Sequence, residues 1–190
     1  MFIGRAKQGP DGCKQVLWVF GYGSLMWEPG FTPAERIAAR LSGWHRSFCM
    51  SSIHYRGTPT RPGLVLALDQ AEGAACAGVA FRVGDGQEAA VMAYLQAREL
   101  VSDAYLERRL PVSLADGRRV EAVTYVIDHA HPQYRSGLTL EEQARIIVTA
   151  RGQTGSNAEY LWNTTQHLSE LGLPDAELDW LAARVRHLSG

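Results

Sequence analysis

The sequence predicts an α+β fold in which a small, partly closed β-barrel carries packed helices. Strand patterns dominate the first two-thirds of the 190 residues, and helical patterns dominate the last third. Six segments have strand character, and so many strands in so short a span are typical of a small barrel. The predicted strands cover residues 16–21, 38–51, 64–68, 76–83, 105–114 and 119–127.

Two turns and one periodic segment set the order of elements in the first part of the chain. The segment ADGR at 115–118 has the length and the glycine of a hairpin turn, so it joins the last two strands. Residues 87–101 carry apolar side chains at helical spacing and predict a helix. The segment TPAE at 32–35 matches a capping box with proline at the first helical position, which predicts a short helical turn leading into a strand.

The helices of the last third have clear start and stop signals. A capping box that begins at Thr139 opens a helix to about Ala150. A second capping box begins at Ser156, and its helix ends at Gly172. Pro174 precedes a last helix whose apolar stripe is expected to pack on the barrel.

Composition limits the domain count and the class of protein. We expect residues 1–15 to form a flexible N-terminal extension and residues 16–190 to form a single domain. The net charge of −1 gives no basic surface for nucleic acid, and no apolar run approaches the roughly 20 residues that span a bilayer. Three widely spaced cysteines, Cys13, Cys49 and Cys76, are interpreted as reduced, with the last two in the core. The predicted location is the cytoplasm.

The segment GYGS at 21–24 is the most informative turn, because it stops an apolar strand abruptly. Gly21 and Gly23 lack a Cβ and tolerate φ > 0, so consecutive N–H groups are able to converge on an anion or a polarised carbonyl oxygen. An ordinary strand followed by a turn is the alternative. Ser24 lies in this turn, but nothing in the sequence supplies it with a base.

Glu99 is the carboxylate at an unexpected position. It follows Leu95 by four residues and Met92 by seven, so helical periodicity directs it toward the apolar face. A carboxylate in such surroundings must find donors or raise its pKa, as a general base near neutral pH requires. The alternatives are a solvent-facing tilt at the helix end or a structural salt bridge with one of three arginines, Arg56, Arg98 or Arg109.

Three other patterns carry weaker signals. His129 and His131 lack a carboxylate or cysteine at ligand spacing, so a surface turn is favoured over a metal site. Arg56 lies in a rigid turn from which it is able to clamp a carboxylate, although a plain loop explains the turn equally well. The glycine loop at 152–155 leads into a helix N-terminus but fits neither common nucleotide-binding pattern.

Several motifs together resemble the ChaC-like γ-glutamylcyclotransferases, in that family's order, over about residues 16–171. They are VFGYGSLMW at 19–27, YRGTP at 55–59 with PG at 62–63, GVAFR at 78–82, YLQARE at 94–99 and GQTGSNAEYL at 152–161. The resemblance implies a γ-glutamylcyclotransferase-like β-barrel with packed helices. It further implies a lyase that cleaves glutathione to 5-oxoproline and cysteinylglycine without a cofactor or a metal.

The resemblance also implies which residues act. Glu99 is the catalytic acid and base, and the γ-glutamyl group binds at Val19, Phe20, Gly21, Tyr22, Gly23, Ser24 and Leu25. The nucleophile in such a cyclisation is the substrate's own α-amine, so no activated serine or cysteine is needed. We add Arg56 as a candidate contact for a substrate carboxylate.

Two departures from the family pattern concern the substrate. The segment LVSDAY at 100–105 stands where the family commonly has a Gly-Gly-Tyr-like turn, and FCMSSIH at 48–54 stands where FWQGSTD is frequent. The departures leave open a cyclotransferase for another γ-glutamyl amide. A non-catalytic γ-glutamyl binder, such as an accessory protein of a cation transporter, is the alternative from a different class of function.

Overall fold

A computed structural model describes residues 16–190, in which five strands close into a barrel with the order β1-β3-β2-β4-β5. The prediction for residues 1–15 lies outside the described residues. The barrel strands are β1 (Trp18–Gly21), β2 (Glu35–Ser52), β3 (Gly63–Arg82), β4 (Tyr105–Leu114) and β5 (Arg119–Ile127). β1 closes the barrel because it pairs antiparallel with β3 and parallel with β5. The predicted α+β barrel is thus confirmed.

Two of the predicted strands, 64–68 and 76–83, are parts of one strand. β3 pairs with β2 on both sides of residues 71–74, with Gln70 opposite Trp44 and Ala75 opposite Ser42, so the strand includes residues that the sequence pattern assigns to a loop. The register shifts between Ser42 and Trp44, where Gly43 has a φ of +82°. Glycine tolerates this φ without a steric penalty, so the two strands bend there and remain paired.

The helical turn predicted at 32–35 is wrong. The backbone N–H of Ala34 donates to the carbonyl oxygen of Arg82 at 2.8 Å, and β2 begins at Glu35. The Glu35 carboxylate pairs with Arg82 and Arg118 instead of capping a helix. Pairing with a long neighbouring strand therefore overrides the local capping pattern.

Residues 16–190 also form four α-helices that pack with the barrel. They are α1 (Glu88–Glu99), α2 (Leu140–Thr149), α3 (Asn157–Glu170) and α4 (Ala176–Ser189). Both predicted capping boxes are present, with the side chains of Thr139 and Ser156 accepting from the N–H groups of Glu142 and Glu159. None of the helices in this part of the chain is long and apolar enough to cross a membrane.

The core joins barrel and helices into one packed unit. Phe48 and Tyr125 of the barrel share a buried cluster with Leu95, Leu161 and Val185 of the helices. α4 buries most of the predicted apolar stripe, but it packs chiefly on α2 and α3 and less on the barrel than the sequence predicts. Cys49 and Cys76 are free and buried, as predicted for core residues.

Asn157 fastens α3 to the start of β3. Its side chain is fully buried, its Oδ1 accepts from the N–H of Leu64 at 2.6 Å, and its Nδ2 donates to the carbonyl oxygen of Leu64 at 2.7 Å. A side-chain amide thus replaces a backbone neighbour at a strand end, which satisfies two buried polar groups at once.

A short hairpin of β6 (Arg151–Gly152) and β7 (Gly155–Ser156) lies between α2 and α3. Its N–H groups at Gln153 and Thr154 donate to the carbonyl oxygens of His54 and Tyr55. The hairpin therefore holds the loop that follows β2, and the loop forms part of the wall described next.

Candidate active site

A small cavity of about 90 Å³ lies where β1 ends. The turn after β1 forms one wall, and strands β3, β4 and β5 together with α1 and α3 supply the others. Its lining residues are Tyr22, Gly23, Ser24, Leu25, Val65, Leu66, Glu99, Tyr105, Tyr125 and Tyr160.

A larger cavity of about 410 Å³ adjoins the small one. Val65, Glu99 and Tyr105 line both cavities, so these residues mark the boundary between them. Residues 50–55 and 101–102 form much of its remaining wall. Its volume falls within the range that is typical of small-molecule sites. Both segments in which the sequence departs from the ChaC-like pattern therefore lie against the larger cavity.

Glu99 is the last residue of α1 and lies at this boundary. Its side chain is 20% exposed, and its Oε1 lies 3.1 Å from Nε of Arg98. Burial raises the pKa of the Glu99 carboxyl above its ordinary value of 4.5, while the neighbouring Arg98 opposes the rise. The structure thus combines the two sequence-based alternatives, because Glu99 faces a cavity and also has an arginine partner.

Arg98 ties the carboxylate to the turn after β1. Its Nη2 donates to Oγ of Ser24 at 3.0 Å, and its Nη1 donates to the carbonyl oxygen of Glu28 at 2.6 Å and to the hydroxyl of Tyr94 at 3.1 Å. Since one rigid guanidinium contacts both elements, Glu99 and Ser24 keep a fixed relative position.

The turn after β1 is a single 3₁₀ turn, Ser24–Met26. The carbonyl oxygen of Gly23 accepts from Met26, and that of Ser24 accepts from Glu28, each at 2.9 Å. Within residues 16–190, the N–H groups of Gly23, Ser24 and Leu25 have no hydrogen-bond acceptor. The first N–H groups of a helical turn have no partner inside the turn, so these donors are available to an anion or an oxyanion.

The two glycines of the turn do not supply a left-handed conformation, and only Gly21 lies in a close contact. Neither Gly21 nor Gly23 has a positive φ. A Cβ on Gly21 would lie 3.1 Å from Cβ of Leu25, so the close packing of the turn on β1 favours glycine there. A Cβ on Gly23 would meet no atom within 4 Å.

The structure brings only part of the predicted binding segment to the cavity. Tyr22, Gly23, Ser24 and Leu25 line it. The side chains of Val19 and Phe20 are fully buried in two different core clusters, and their backbones, like that of Gly21, belong to the β1–β3 ladder. Val19, Phe20 and Gly21 therefore hold the start of the turn in the barrel and do not line the cavity.

Arg56 lies outside the walls of both cavities. Its Nη1 donates to the carbonyl oxygens of Thr154, at 2.8 Å, and of Ser156, at 3.4 Å. Its guanidinium also lies over the ring of Tyr160, 5.1 Å from the centroid. Arg56 thus joins the loop after β2 to the β6–β7 hairpin and supports a cavity wall through Tyr160.

Sequence reasoning missed the tyrosines of the small cavity. Tyr105, Tyr125 and Tyr160 line it with Tyr22, and Tyr105 donates to the carbonyl oxygen of Leu66 at 2.7 Å. Burial raises the pKa of each phenol, so these side chains stay neutral near pH 7. The available signal was weak, since each tyrosine comes from a different element.

The weaker candidates have structural roles. His129 Nε2 lies 2.7 Å from Oδ1 of Asp69, and its ring stacks on Tyr134. Nδ1 of His131 accepts from the N–H of Gln133 in a turn. Across residues 16–190, no three potential ligands among His, Cys, Asp and Glu lie close enough together to hold a metal.

The fold defines the class of protein. The crystal structure of a yeast γ-glutamyl cyclotransferase specific to glutathione aligns with this chain at a TM-score of 0.80, covering 92% of this chain and 97% of that one at 23% identity. The architecture is therefore the γ-glutamylcyclotransferase fold.

The chain belongs to the ChaC-like protein family, which matches residues 17–188. A relative from Escherichia coli is 38% identical over 97% of this chain and 76% of its own length. A relative from Schizosaccharomyces pombe is 34% identical over 90% of this chain and 92% of its own length. Both relatives are named glutathione-specific gamma-glutamylcyclotransferase. The predicted family is confirmed.

Proposed function

We propose that this chain is a γ-glutamylcyclotransferase that cleaves glutathione to 5-oxoproline and cysteinylglycine. One observation carries the proposal: a half-buried carboxylate, Glu99, lies beside a turn with free N–H donors at the boundary between a small and a larger cavity. This is the set of groups that an intramolecular cyclisation requires. The names of the bacterial and fungal relatives point to the same substrate.

The proposed reaction moves one proton through one carboxylate. Glu99 removes a proton from the substrate's α-ammonium group, and the freed amine attacks the γ-carbonyl carbon and closes a five-membered ring. Glu99 then donates the proton to the departing nitrogen as its bond to the γ-carbon breaks, and the ring nitrogen loses its second proton to solvent, which leaves the neutral lactam of 5-oxoproline. A raised pKa suits both steps, because a general acid and base works best when its pKa lies near the working pH.

The turn after β1 is proposed to hold the γ-glutamyl end. The N–H groups of Gly23, Ser24 and Leu25 are placed to donate to the substrate's α-carboxylate or to the oxyanion that develops on the γ-carbonyl oxygen. Tyr22 is a further hydrogen-bonding group in the same wall. The small cavity then takes the γ-glutamyl group, and the larger cavity takes the departing dipeptide.

Neutral tyrosines and reduced thiols complete the proposal. The tyrosine wall lowers the local polarity around Glu99 without adding a charge. Arg56 is proposed to act through Tyr160, since its guanidinium is already bound by two carbonyl oxygens.

The reaction needs no cofactor. A cytoplasmic location is proposed as well, because the free thiols of Cys49 and Cys76 suit a reducing compartment.

A comparison of substrates tests this function. We expect the highest kcat/KM with glutathione, and lower values with γ-glutamylcysteine and with γ-glutamyl dipeptides that lack the thiol. A higher kcat/KM with another γ-glutamyl amide would show that the chain is a cyclotransferase for that amide and not for glutathione. Binding of glutathione without release of 5-oxoproline would favour the non-catalytic binder.

Ser24→Ala is expected to reduce kcat/KM only a few-fold. Ser24 accepts a hydrogen bond from Arg98 and supplies no nucleophile in the proposed reaction, so its loss affects positioning alone. Steady-state release of 5-oxoproline measures the effect. If Ser24 were the nucleophile, activity would fall by orders of magnitude, and a covalent acyl-enzyme would accumulate in the wild type.

The pH dependence of kcat/KM is expected to report the raised pKa of Glu99. The rate falls on the acid side, because a protonated Glu99 accepts no proton, and the midpoint of this fall lies above pH 4.5. Arg98→Met removes a cation that stabilises the carboxylate, so it moves the midpoint to higher pH. Arg98→Lys keeps the charge and serves as the control. A midpoint that does not respond to Arg98→Met would contradict the assignment.

A further inference from the structure

Arg46 is a buried cation, and one of its contacts is with Tyr22, the residue between β1 and the turn after β1. It lies in β2 with 4% of its surface exposed, outside the walls of both cavities. Its Nη1 donates to the carbonyl oxygen of Tyr22 at 2.8 Å, and its Nη2 donates to that of Ala77. Its Nε lies 3.0 Å from Oδ2 of Asp175 at an angle outside hydrogen-bond geometry, so this contact is a charge pairing.

The contact with Tyr22 fixes the direction of the next N–H group. A trans peptide unit is planar, and its C=O and N–H bonds point in opposite directions. Since the carbonyl of Tyr22 points at Arg46, the N–H of Gly23 points away from it. Gly23 lines the small cavity, and its N–H has no acceptor within residues 16–190. The anchored carbonyl therefore keeps the N–H of a cavity-lining residue turned away from Arg46 and free to donate.

The next peptide unit, Gly23–Ser24, is oriented by a hydrogen bond inside the 3₁₀ turn. The carbonyl oxygen of Gly23 accepts from Met26 inside the 3₁₀ turn, which directs the N–H of Ser24 out of the turn's start. The 3₁₀ turn orients only this second unit. The first unit lies between β1 and the turn, beside a glycine that rotates easily, and its orientation depends on Arg46.

Asp175 connects the anchor to the C-terminal helix. Its Oδ1 accepts from the N–H of Leu178 and caps α4, while its Oδ2 faces Arg46. A buried cation is tolerated only when acceptors surround it, and here two carbonyl oxygens and one carboxylate do so. The docking of α4 and the geometry of the turn are thus joined through one guanidinium.

We propose that Arg46 is a positioning residue for the cyclisation. It holds the Tyr22–Gly23 peptide so that the N–H of Gly23 donates to a substrate oxygen, and it acts without touching the substrate. Without this anchor the peptide rotates, and the Tyr22 carbonyl oxygen then presents an acceptor where the substrate oxygen needs a donor. The inference rests on the proposed function, because that function defines the substrate oxygen.

Arg46→Lys tests the inference with little risk to folding. A lysine keeps the positive charge beside Asp175, but its single ammonium group does not span Asp175, Ala77 and Tyr22 together. We expect kcat/KM with glutathione to fall by about 10- to 100-fold, as a small misplacement of a catalytic donor does. The amide resonance of Gly23 in NMR spectra is expected to move when 5-oxoproline is added to the wild type, and to stay unmoved in the variant.

Arg36→Met is the matched control, because Arg36 also donates to a carbonyl of the turn, that of Met26, at 3.0 Å. It is expected to keep wild-type kcat/KM. A second variant, Arg46→Met with Asp175→Asn, removes both charges, keeps a helix cap and leaves no unpaired buried charge. It is expected to lose at least as much activity as Arg46→Lys.

Active wild-type protein together with unchanged kcat/KM in folded Arg46→Lys would overturn the inference alone. An equal loss in Arg36→Met would overturn it as well, since the effect would then be general to the turn. A wild-type chain that releases no 5-oxoproline would contradict the proposed function and the inference with it.

Discussion

Glu99→Gln is expected to lower the release of 5-oxoproline from glutathione by about 10²- to 10⁴-fold, the range that general acid–base catalysis contributes. Glutamine preserves the shape of the side chain and a polar oxygen beside Arg98, but it takes no proton from an ammonium group. Because the contacts of the γ-glutamyl group with the turn after β1 remain, kcat is expected to fall far more than KM changes.

A matched control for this variant is Glu88→Gln at the opposite end of α1. It makes the same chemical change on the same helix, outside both cavities, and is expected to keep wild-type kcat. Circular dichroism and a thermal melt establish that the Glu99→Gln variant is folded. Wild-type activity in that folded variant would remove Glu99 from the mechanism.

Asn157→Ala is expected to lower the free energy of unfolding by about 3 kcal/mol. The substitution leaves the buried N–H and C=O of Leu64 without partners, and each unsatisfied buried group costs about 1–3 kcal/mol. For a chain of this length, such a loss lowers the midpoint of thermal unfolding by about 6–12 °C. Differential scanning calorimetry measures both quantities.

Asn163→Ala, at an exposed asparagine six residues further along α3, is the control for helix propensity and is expected to change stability little. A melting temperature of Asn157→Ala within 2 °C of this control, well below the shift of about 6–12 °C predicted above, would show that Asn157 does not fasten β3.

The sequence predicts correctly those strands and helices whose ends are set by neighbouring residues, such as turn glycines and capping boxes. β4 and β5 have the predicted bounds because a short glycine turn separates two clear strands. α2 and α3 begin where their capping boxes lie. The middle of β3 was missed because residues 69–75 have no large apolar side chain and no apolar alternation, and the β2 pairing of Asp69, Gln70 and Ala75 is a long-range contact. The same kind of long-range pairing overrode the capping pattern at 32–35.

The sequence reveals those residues of the candidate site that interrupt a regular apolar pattern. Glu99 violates an apolar stripe, and the glycine turn interrupts a strand, so both are visible in the sequence. Arg46 and the cavity tyrosines are not, because their roles depend on contacts between distant segments, such as the 24 residues that separate Arg46 from Tyr22. Arg56 is visible as a turn residue, yet only the structure shows that carbonyl oxygens already occupy its guanidinium.

The products of a single incubation with glutathione test the central claim most directly. The account predicts equimolar 5-oxoproline and cysteinylglycine, with no free glutamate, because the substrate's α-amine and not water attacks the γ-carbonyl carbon. Free glutamate in place of 5-oxoproline would show hydrolysis by an activated water. Intact glutathione after prolonged incubation with folded protein would contradict the proposed cyclotransferase activity itself.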